Sequence, residues 1–79
     1  MVFIFVEADG TWTVIVTDLS NVVTERQNWR LPMFAVGHIH RATEAGAQVA
    51  VVCAAAWENL LNAAQPHLAE GQKLLEDYQ

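Results

Sequence analysis

The sequence predicts an α+β fold, in which an N-terminal antiparallel sheet of three to four strands is packed on one face by a long helix and followed by a short C-terminal helix. Two runs rich in Val, Ile, Phe and Thr flank Asp9-Gly10, as in a β-hairpin. Between Glu44 and Gln65, apolar and polar residues separate with a helical period. The chain of 79 residues is short enough to form a single domain, 1–79.

The hairpin is expected over residues 1–18. With Asp9-Gly10 as a two-residue loop, Phe5 lies opposite Val14 and Phe3 opposite Val16. The expected core face then consists of aromatic and aliphatic side chains: Phe3, Phe5, Trp12, Val14 and Val16. The other face would expose an apolar patch of a kind that commonly marks an association surface, made of Val2, Ile4, Val6 and Ile15.

The middle of the chain is harder to interpret. Asp18-Leu19-Ser20-Asn21 reads as a turn, and residues 22–26 as a short third strand. Residues 33–40 fit either a fourth strand or a short helix that has Pro32 at its first position. A glycine within this stretch, Gly37, and a leucine at the capping position favour the strand.

The second half predicts one long helix from about Thr43 to Ala64. Residues 48–53 alone could be a buried strand, but the helical period holds over the whole segment. One stripe is apolar: Ala45, Val49, Val52, Cys53, Ala56, Trp57, Leu60, Leu61 and Ala64. Pro66 ends this helix because the residue before a proline is disfavoured in the α region. A shorter helix is expected over residues 66–79, weakened by Gly71.

The charge balance restricts the kinds of partner. Nine acidic residues and four basic ones give a net charge of −5, and Lys73 is the only lysine. Binding to phosphates needs clustered basic residues, and the scattered arginines do not provide them, so no direct nucleic-acid binding is expected. The charge favours a protein partner with a basic surface, such as the nucleic-acid-binding groove of another protein. Solubility alone is the competing explanation.

The cysteine content and the N-terminal segment bear on location. Cys53 is the only cysteine, which excludes an intramolecular disulfide and a cysteine-based zinc cluster. The apolar run MVFIFV is too short for a signal sequence or a membrane span. We therefore expect a soluble protein of the reducing cytoplasm that does not associate with membranes.

Two histidines raise the question of a metal site. On a strand, His38 and His40 would point to the same face and could both bind a metal ion, with Glu44, His67 or Cys53 as a further ligand. On a helix they would diverge by about 200°. Surface histidines at the end of a strand are the alternative, which leads us to predict no bound metal.

No residues suggest catalysis or a cofactor. Cys53 lies among alanines and valines, where an apolar setting keeps a thiol unreactive. Ser20 belongs to the predicted turn after Asp18. The glycines are too scattered for a phosphate-binding loop. The sequence therefore predicts neither an enzyme nor a bound cofactor.

A tryptophan in a polar segment is the main candidate for partner binding. Trp12 and Trp57 lie on the two expected core faces and should meet. Trp29 instead stands between Arg26 and Arg30, and tryptophan and arginine are both enriched at binding hot spots. These three residues, together with the patch of Val2, Ile4, Val6 and Ile15, form the predicted partner-binding set. Trp29 covering the open end of the core is the alternative.

Residues 6–25, VEADGTWTVIVTDLSNVVTE, resemble the opening of HicB-type antitoxins. The resemblance rests on the turns and the alternating strand positions: Asp9, Gly10, Trp12, Val14, Val16, Asp18, Leu19, Asn21 and Thr24. It implies a hairpin whose second strand leads through a turn into a short strand with threonine, and a role as regulator of a toxin–antitoxin pair. It assigns no functional residue to this chain.

In general character the chain is similar to small phage-encoded inhibitors of bacterial defence, such as anti-CRISPR proteins. The shared features are a short single domain, an acidic balance and the lack of catalytic or cofactor motifs. The expected function is that of a non-enzymatic protein that binds and inhibits or regulates a partner protein. An antitoxin-like regulator, a metal-binding protein using His38 and His40, and a homodimer joined through the uncovered sheet face are the alternatives.

Overall fold

The computed structural model describes residues 1–67 and shows an antiparallel sheet followed by helices. Strands β1 (Val2–Val6), β2 (Trp12–Thr17) and β3 (Val23–Trp29) pair in the order β1-β2-β3. Helix α1 spans Pro32–Glu44 and helix α2 spans Ala54–Ala64. Short 3-10 turns lie at Val51–Cys53 and Gln65–His67. The α+β class is confirmed, while the predicted C-terminal helix falls almost entirely outside the described residues.

The register of the hairpin differs from the predicted one by a single residue. Phe3 pairs with Ile15 and Phe5 with Thr13, because the loop has three residues between Glu7 and Thr11 rather than two. Gly10, at φ +81°, is the loop residue with a positive φ, and the Asp9 carboxylate accepts hydrogen bonds from the Thr11 N–H and hydroxyl. A type I′ turn would need a positive φ at Asp9 as well.

This shift of one residue moves every side chain of β1 to the opposite face. Val2 and Ile4 are buried against the helices at 0% and 2% exposure, while Phe5 is 46% exposed. Trp12, Val14 and Val16 remain on the core side, as predicted. The prediction that Phe5 belongs to the core face, and that Val2 and Ile4 lie on an exposed patch, is therefore wrong, whereas Phe3 is partly buried and packs against the core.

The turn between β2 and β3 is built by a second aspartate. The Asp18 carboxylate accepts hydrogen bonds from the backbone N–H groups of Ser20 and Val22, at 2.8 and 3.0 Å. Asn21 occupies the left-handed region at φ 62°, a conformation that asparagine tolerates better than most residues. The turn leads into β3, which continues to Trp29, three residues beyond the predicted end of the third strand.

The segment predicted as a fourth strand is helix α1, so the strand prediction is wrong and the helix alternative is correct. Pro32 stands in the first turn of the helix, after an extended Leu31 that makes no side-chain cap. Residues spaced by three and four positions are buried against the sheet: Ala35, Ile39 and Ala42. Burial of this face outweighs the missing cap and the propensity cost of Gly37, since most helix stability comes from packing.

The predicted continuous helix from Thr43 to Ala64 is also wrong, because the chain leaves the helix at Gly46. Gly46 has φ +103°, and the N–H groups of Ala45, Gly46 and Ala47 satisfy carbonyls of the last turn of α1. The chain then runs beside β1, where Val2 donates to the Gln48 carbonyl and Ala50 donates to the Val2 carbonyl. This short parallel bridge covers part of the free edge of β1.

The core lies between the sheet and the two helices. Helix α2 contributes Leu60 and Ala64, both at 0% exposure, and the turn before it contributes Cys53, whose sulfur accepts a hydrogen bond from the Ile4 N–H. The apolar stripe predicted for this segment holds only in part, since Leu61 is 37% exposed and Val52 is 86% exposed. The free thiol of Cys53 is buried.

The face of the sheet opposite the helices, called here the outer face, carries a hydrogen-bonded polar cluster. The amide of Asn28 donates to the hydroxyls of Thr11 and Thr13. Those hydroxyls in turn donate to the carboxylates of Asp9 and Glu7. The Thr11 hydrogen bonds lower the pKa of Asp9. The cluster links β3 to the first hairpin loop. It also provides hydrogen-bond partners for the hydroxyls of two buried threonines.

Candidate functional site

A cleft between strand β3 and helix α1 brings together the polar and aromatic groups that could recognise a ligand. Its volume is about 290 Å³, and we call it the β3–α1 cleft. Its lining consists of Glu25, Arg26, Gln27, Trp29, His38 and Arg41. The first four belong to β3 and the last two to α1. Two of the predicted partner-binding residues, Arg26 and Trp29, therefore lie in one site.

The edge of the sheet forms one wall of this cleft. Among the described elements β3 pairs only with β2. The backbone N–H and C=O groups along its other edge therefore form no hydrogen bonds with another described strand. Six of its seven residues are exposed, and only Trp29 is partly buried. The strand includes both signs of charge at Glu25 and Arg26. This edge can accept an additional strand.

Trp29 is held in place by a hydrogen bond to a buried histidine. Its indole Nε1 lies 2.9 Å from His38 Nδ1. An indole nitrogen can only donate, so Nδ1 must carry the lone pair and the proton of neutral His38 must be on Nε2. The Trp29 ring also stacks on Phe34, with centroids 6.0 Å apart and an interplanar angle of 26°. Trp29 thus bridges β3 and α1, and the alternative prediction, in which it packs over the core, describes its position best.

The other nitrogen of His38 faces a carboxylate without bonding to it. Glu25 Oε1 lies 3.7 Å from His38 Nε2, which is longer than a hydrogen bond. His38 Nε2 is buried and has no hydrogen-bond partner among the described residues, although the Glu25 side chain is 57% exposed. Burial lowers the pKa of His38, the charge of Glu25 opposes this, and the charge of Arg41 adds to it. Neutral His38 is therefore the favoured form.

This arrangement limits what His38 can do chemically. Nδ1 is occupied by the Trp29 N–H, and Nε2 carries a proton and is buried. Neither nitrogen offers a free lone pair that could bind a metal ion or abstract a proton. The observed position of His38 therefore suits an internal structural contact, and a change of its protonation state would have to rearrange that contact.

The hypothesis of a metal site assumed that His38 and His40 lie on a strand and point to the same face, and this is wrong. His38 and His40 lie on helix α1 rather than on a strand, and they differ in burial, His38 being buried and His40 exposed. In residues 1–67, no group of three or more His, Cys, Asp or Glu side chains is placed to hold a metal ion.

The remaining predicted partner-binding residues do not share one surface. Arg30 is exposed and directly follows β3, close to the cleft in sequence. Val2 and Ile4 are buried in the core, and Val6, on the same side of β1, is 45% exposed at the end of the strand. Ile15 is half-buried on the outer face. The predicted patch is thus divided between the two faces of the sheet.

A second, wider groove adjoins the β3–α1 cleft. Its volume is about 630 Å³, and it lies between the turn after β2 and the C-terminal end of α1. Its acidic lining residues are Asp18 and Glu25, and its walls include Val16, Ala42 and Ala47. Glu25 lines both depressions and so stands at their junction.

Sequence reasoning did not identify Glu25, Gln27 or Arg41 as part of a site. Their grouping depends on α1 packing beside β3, which could not be foreseen while residues 33–40 were assigned to a strand. A helical assignment would have offered one signal, because Trp29 lies just before the helix and His38 lies on its buried side. An aromatic donor next to a buried imidazole commonly forms a hydrogen bond.

Comparisons with known proteins give no relative, since no family model, no curated protein and no solved structure matches this chain. Within the part of the chain that the structure covers, no helix has both the length and the apolar character needed to cross a membrane.

The titration of His38 predicts how stability depends on pH. Because burial lowers the pKa of His38 in the folded state, the unfolded chain binds the proton more strongly. The stability contributed by neutral His38 is present above the ordinary histidine pKa of about 6.5 and is lost as the pH falls below it. In urea unfolding between about pH 7.5 and about pH 5, His38→Gln should lose less stability than the wild type. His40→Gln, an exposed position on the same helix, is the matched control and should follow the wild type. An identical loss of stability in His38→Gln and in the wild type would exclude His38 as the source of the pH dependence.

Proposed function

We propose that this protein is a non-enzymatic binding protein that inhibits or regulates a partner protein through the edge of β3 and the β3–α1 cleft. The observation that carries the proposal is the exposed edge strand, whose free backbone groups run beside a cleft lined by Trp29 and Arg26. An extended segment of a partner could add to this edge through main-chain hydrogen bonds while its side chains enter the cleft.

The side chains of the site suit recognition of a protein. Trp29 offers a large aromatic surface that is already fixed by its contacts with His38 and Phe34. A fixed side chain loses little conformational entropy when a partner binds, which favours affinity. Arg26 is exposed on the same strand and can donate several hydrogen bonds. Tryptophan and arginine are the residue types that most often dominate binding energy.

The charge of the protein supports a partner with a basic surface. A net charge of −5 on so short a chain attracts a basic partner over distances longer than contact. Glu25 contributes one negative charge to the β3–α1 cleft, beside Arg26 and Arg41, and Asp18 lines the adjoining groove. Proteins that handle nucleic acids have basic grooves, so a nucleic-acid-handling defence complex, inhibited by this protein as a phage- or bacterium-encoded inhibitor, fits this charge. We place the protein in the cytoplasm, since its single cysteine forms no intramolecular disulfide.

An antitoxin-like regulator is the second candidate, and the resemblance of residues 6–25 to HicB-type antitoxins is its support. Both candidates bind a protein and neither requires a cofactor, a metal ion or a catalytic residue. They differ in the partner, which would be a toxin in one case and a defence complex in the other. Identification of the captured protein separates them.

Site-specific photo-crosslinking tests the proposed surface. A photo-reactive amino acid at Gln27, an exposed residue of β3 that lines the cleft, should yield one dominant crosslinked product with a different protein in cells that produce the chain. The same amino acid at Asn62, an exposed residue of α2 away from the cleft, should not yield it. Products formed equally at both positions, or at neither, would contradict the proposal. A product containing two copies of this chain would indicate a homo-oligomer instead.

A further inference from the structure

His38 sits where a change of one proton must alter how Trp29 is held. Neutral His38 accepts the Trp29 N–H at Nδ1, at 2.9 Å. Protonation would place a hydrogen on Nδ1 as well, so two donors would face each other and the hydrogen bond could not form. The two rings lie edge to face, with centroids 5.7 Å apart.

The same proton would strengthen the interaction on the opposite side of the imidazole, because it adds a positive charge to the ring. Glu25 Oε1 is 3.7 Å from Nε2, and its side chain is 57% exposed and therefore free to approach. A protonated imidazole and a carboxylate in partial burial form a charge-assisted hydrogen bond. His38 thus has two alternative partners on β3, which are Trp29 when it is neutral and Glu25 when it is protonated.

We propose that His38 is a proton-controlled latch for the β3–α1 cleft, which holds Trp29 when neutral and releases it when protonated, pairing with Glu25 instead. Trp29 and Glu25 both line the cleft. Acidification would therefore free the Trp29 ring and neutralise the Glu25 carboxylate, which lies where the cleft meets the second groove. The consequence for partner binding rests on the function proposed above, whereas the latch itself is a property of the free protein.

The charged groups around His38 set the pH at which the latch opens. Glu25 on β3 favours the protonated imidazole, whereas Arg41 on α1 disfavours it. Arg26 is also among the residues that line the cleft, but in the strand register it pairs with Ile15 of the outer face. Burial of the ring is the largest cause that lowers the pKa of His38, and the charge of Arg41 acts in the same direction. The latch therefore remains closed at neutral pH and opens on acidification below the ordinary histidine pKa of about 6.5.

NMR of the isotope-labelled full chain tests the latch directly. Between about pH 7.5 and about pH 5, the indole N–H signal of Trp29 should shift with the same midpoint as the imidazole signals of His38. The indole N–H of Trp12 is an internal control, because it donates to the amide oxygen of Asn59, which does not titrate in this range. Its signal should stay in place.

Two variants make the test specific. In His38→Gln the amide oxygen can accept the Trp29 N–H at every pH, so the Trp29 signal should lose its pH dependence. In Glu25→Gln the charge that receives protonated His38 is removed, so the midpoint should move to lower pH. The proposal is overturned by a Trp29 signal that does not follow His38, that shifts equally in His38→Gln, or that moves only together with Trp12 as the whole fold is lost. None of these results depends on the crosslinking experiment, so the latch and the binding function can fail separately.

Discussion

Leu60→Ala is expected to destabilise the protein by about 2–5 kcal/mol, the range for a leucine removed from a well-packed core. Leu60 is at 0% exposure in helix α2, and it is among the largest fully buried side chains of the described residues. Its side chain belongs to the buried core cluster, so truncation would leave a cavity there. Small domains have about 5–15 kcal/mol of stability, so this loss would be a large part of the total.

The neighbouring leucine provides the matched control. Leu61 is 37% exposed, and Leu61→Ala should cost about 1 kcal/mol or less because part of its surface is already in water. Urea unfolding of both variants, followed by tryptophan fluorescence, measures the difference directly. Equal losses in the two variants would mean that α2 is rotated about its axis relative to the structure described above.

The fold class could be predicted from the sequence because it depends on local signals. The β-branched and aromatic residues of 2–6 and 12–17 and the Asp-Gly turn predict a hairpin whatever its register, and the third strand follows from the next turn. The register could not be predicted, because Asp9-Gly10 fits both a two-residue and a three-residue loop. The choice was decided by the Asp9 carboxylate, which bonds to Thr11 and so favours the longer loop.

The helices show where local propensity was outweighed. Gly37 and the uncapped Leu31 argued against a helix over residues 32–44, yet burial of Ala35, Ile39 and Ala42 against the sheet stabilises one. The helical period from Thr43 onward was misleading, since a hydrophobic period does not exclude a break at a glycine. The end of the helix was indicated by a glycine, Gly46, that follows a basic residue in the last turn, Arg41.

The candidate site was predictable in composition but not in arrangement. Trp29 and Arg26 stood out as residues of the types found at binding hot spots, and the structure places both beside the cleft. The role of His38 was not foreseen, because its partners come from β3 and are distant in sequence from the histidine pair that drew attention to it. Contacts between a strand and a helix depend on the tertiary packing. The spacing of residues within one strand or one helix does not predict that packing.

The register of the hairpin can be tested by comparing two neighbouring residues of β1. In the structure Ile4 is 2% exposed and Phe5 is 46% exposed. Ile4→Ala should therefore cost about 2–5 kcal/mol, whereas Phe5→Ala should cost about 1 kcal/mol, as for substitutions of partly exposed residues. A two-residue loop would reverse this order, because Phe5 would then lie in the core and its truncation would cost about 3–5 kcal/mol. Since alanine removes more atoms from phenylalanine than from isoleucine, a larger loss at Ile4 can arise only from its position, and urea unfolding of the two variants side by side decides between the registers.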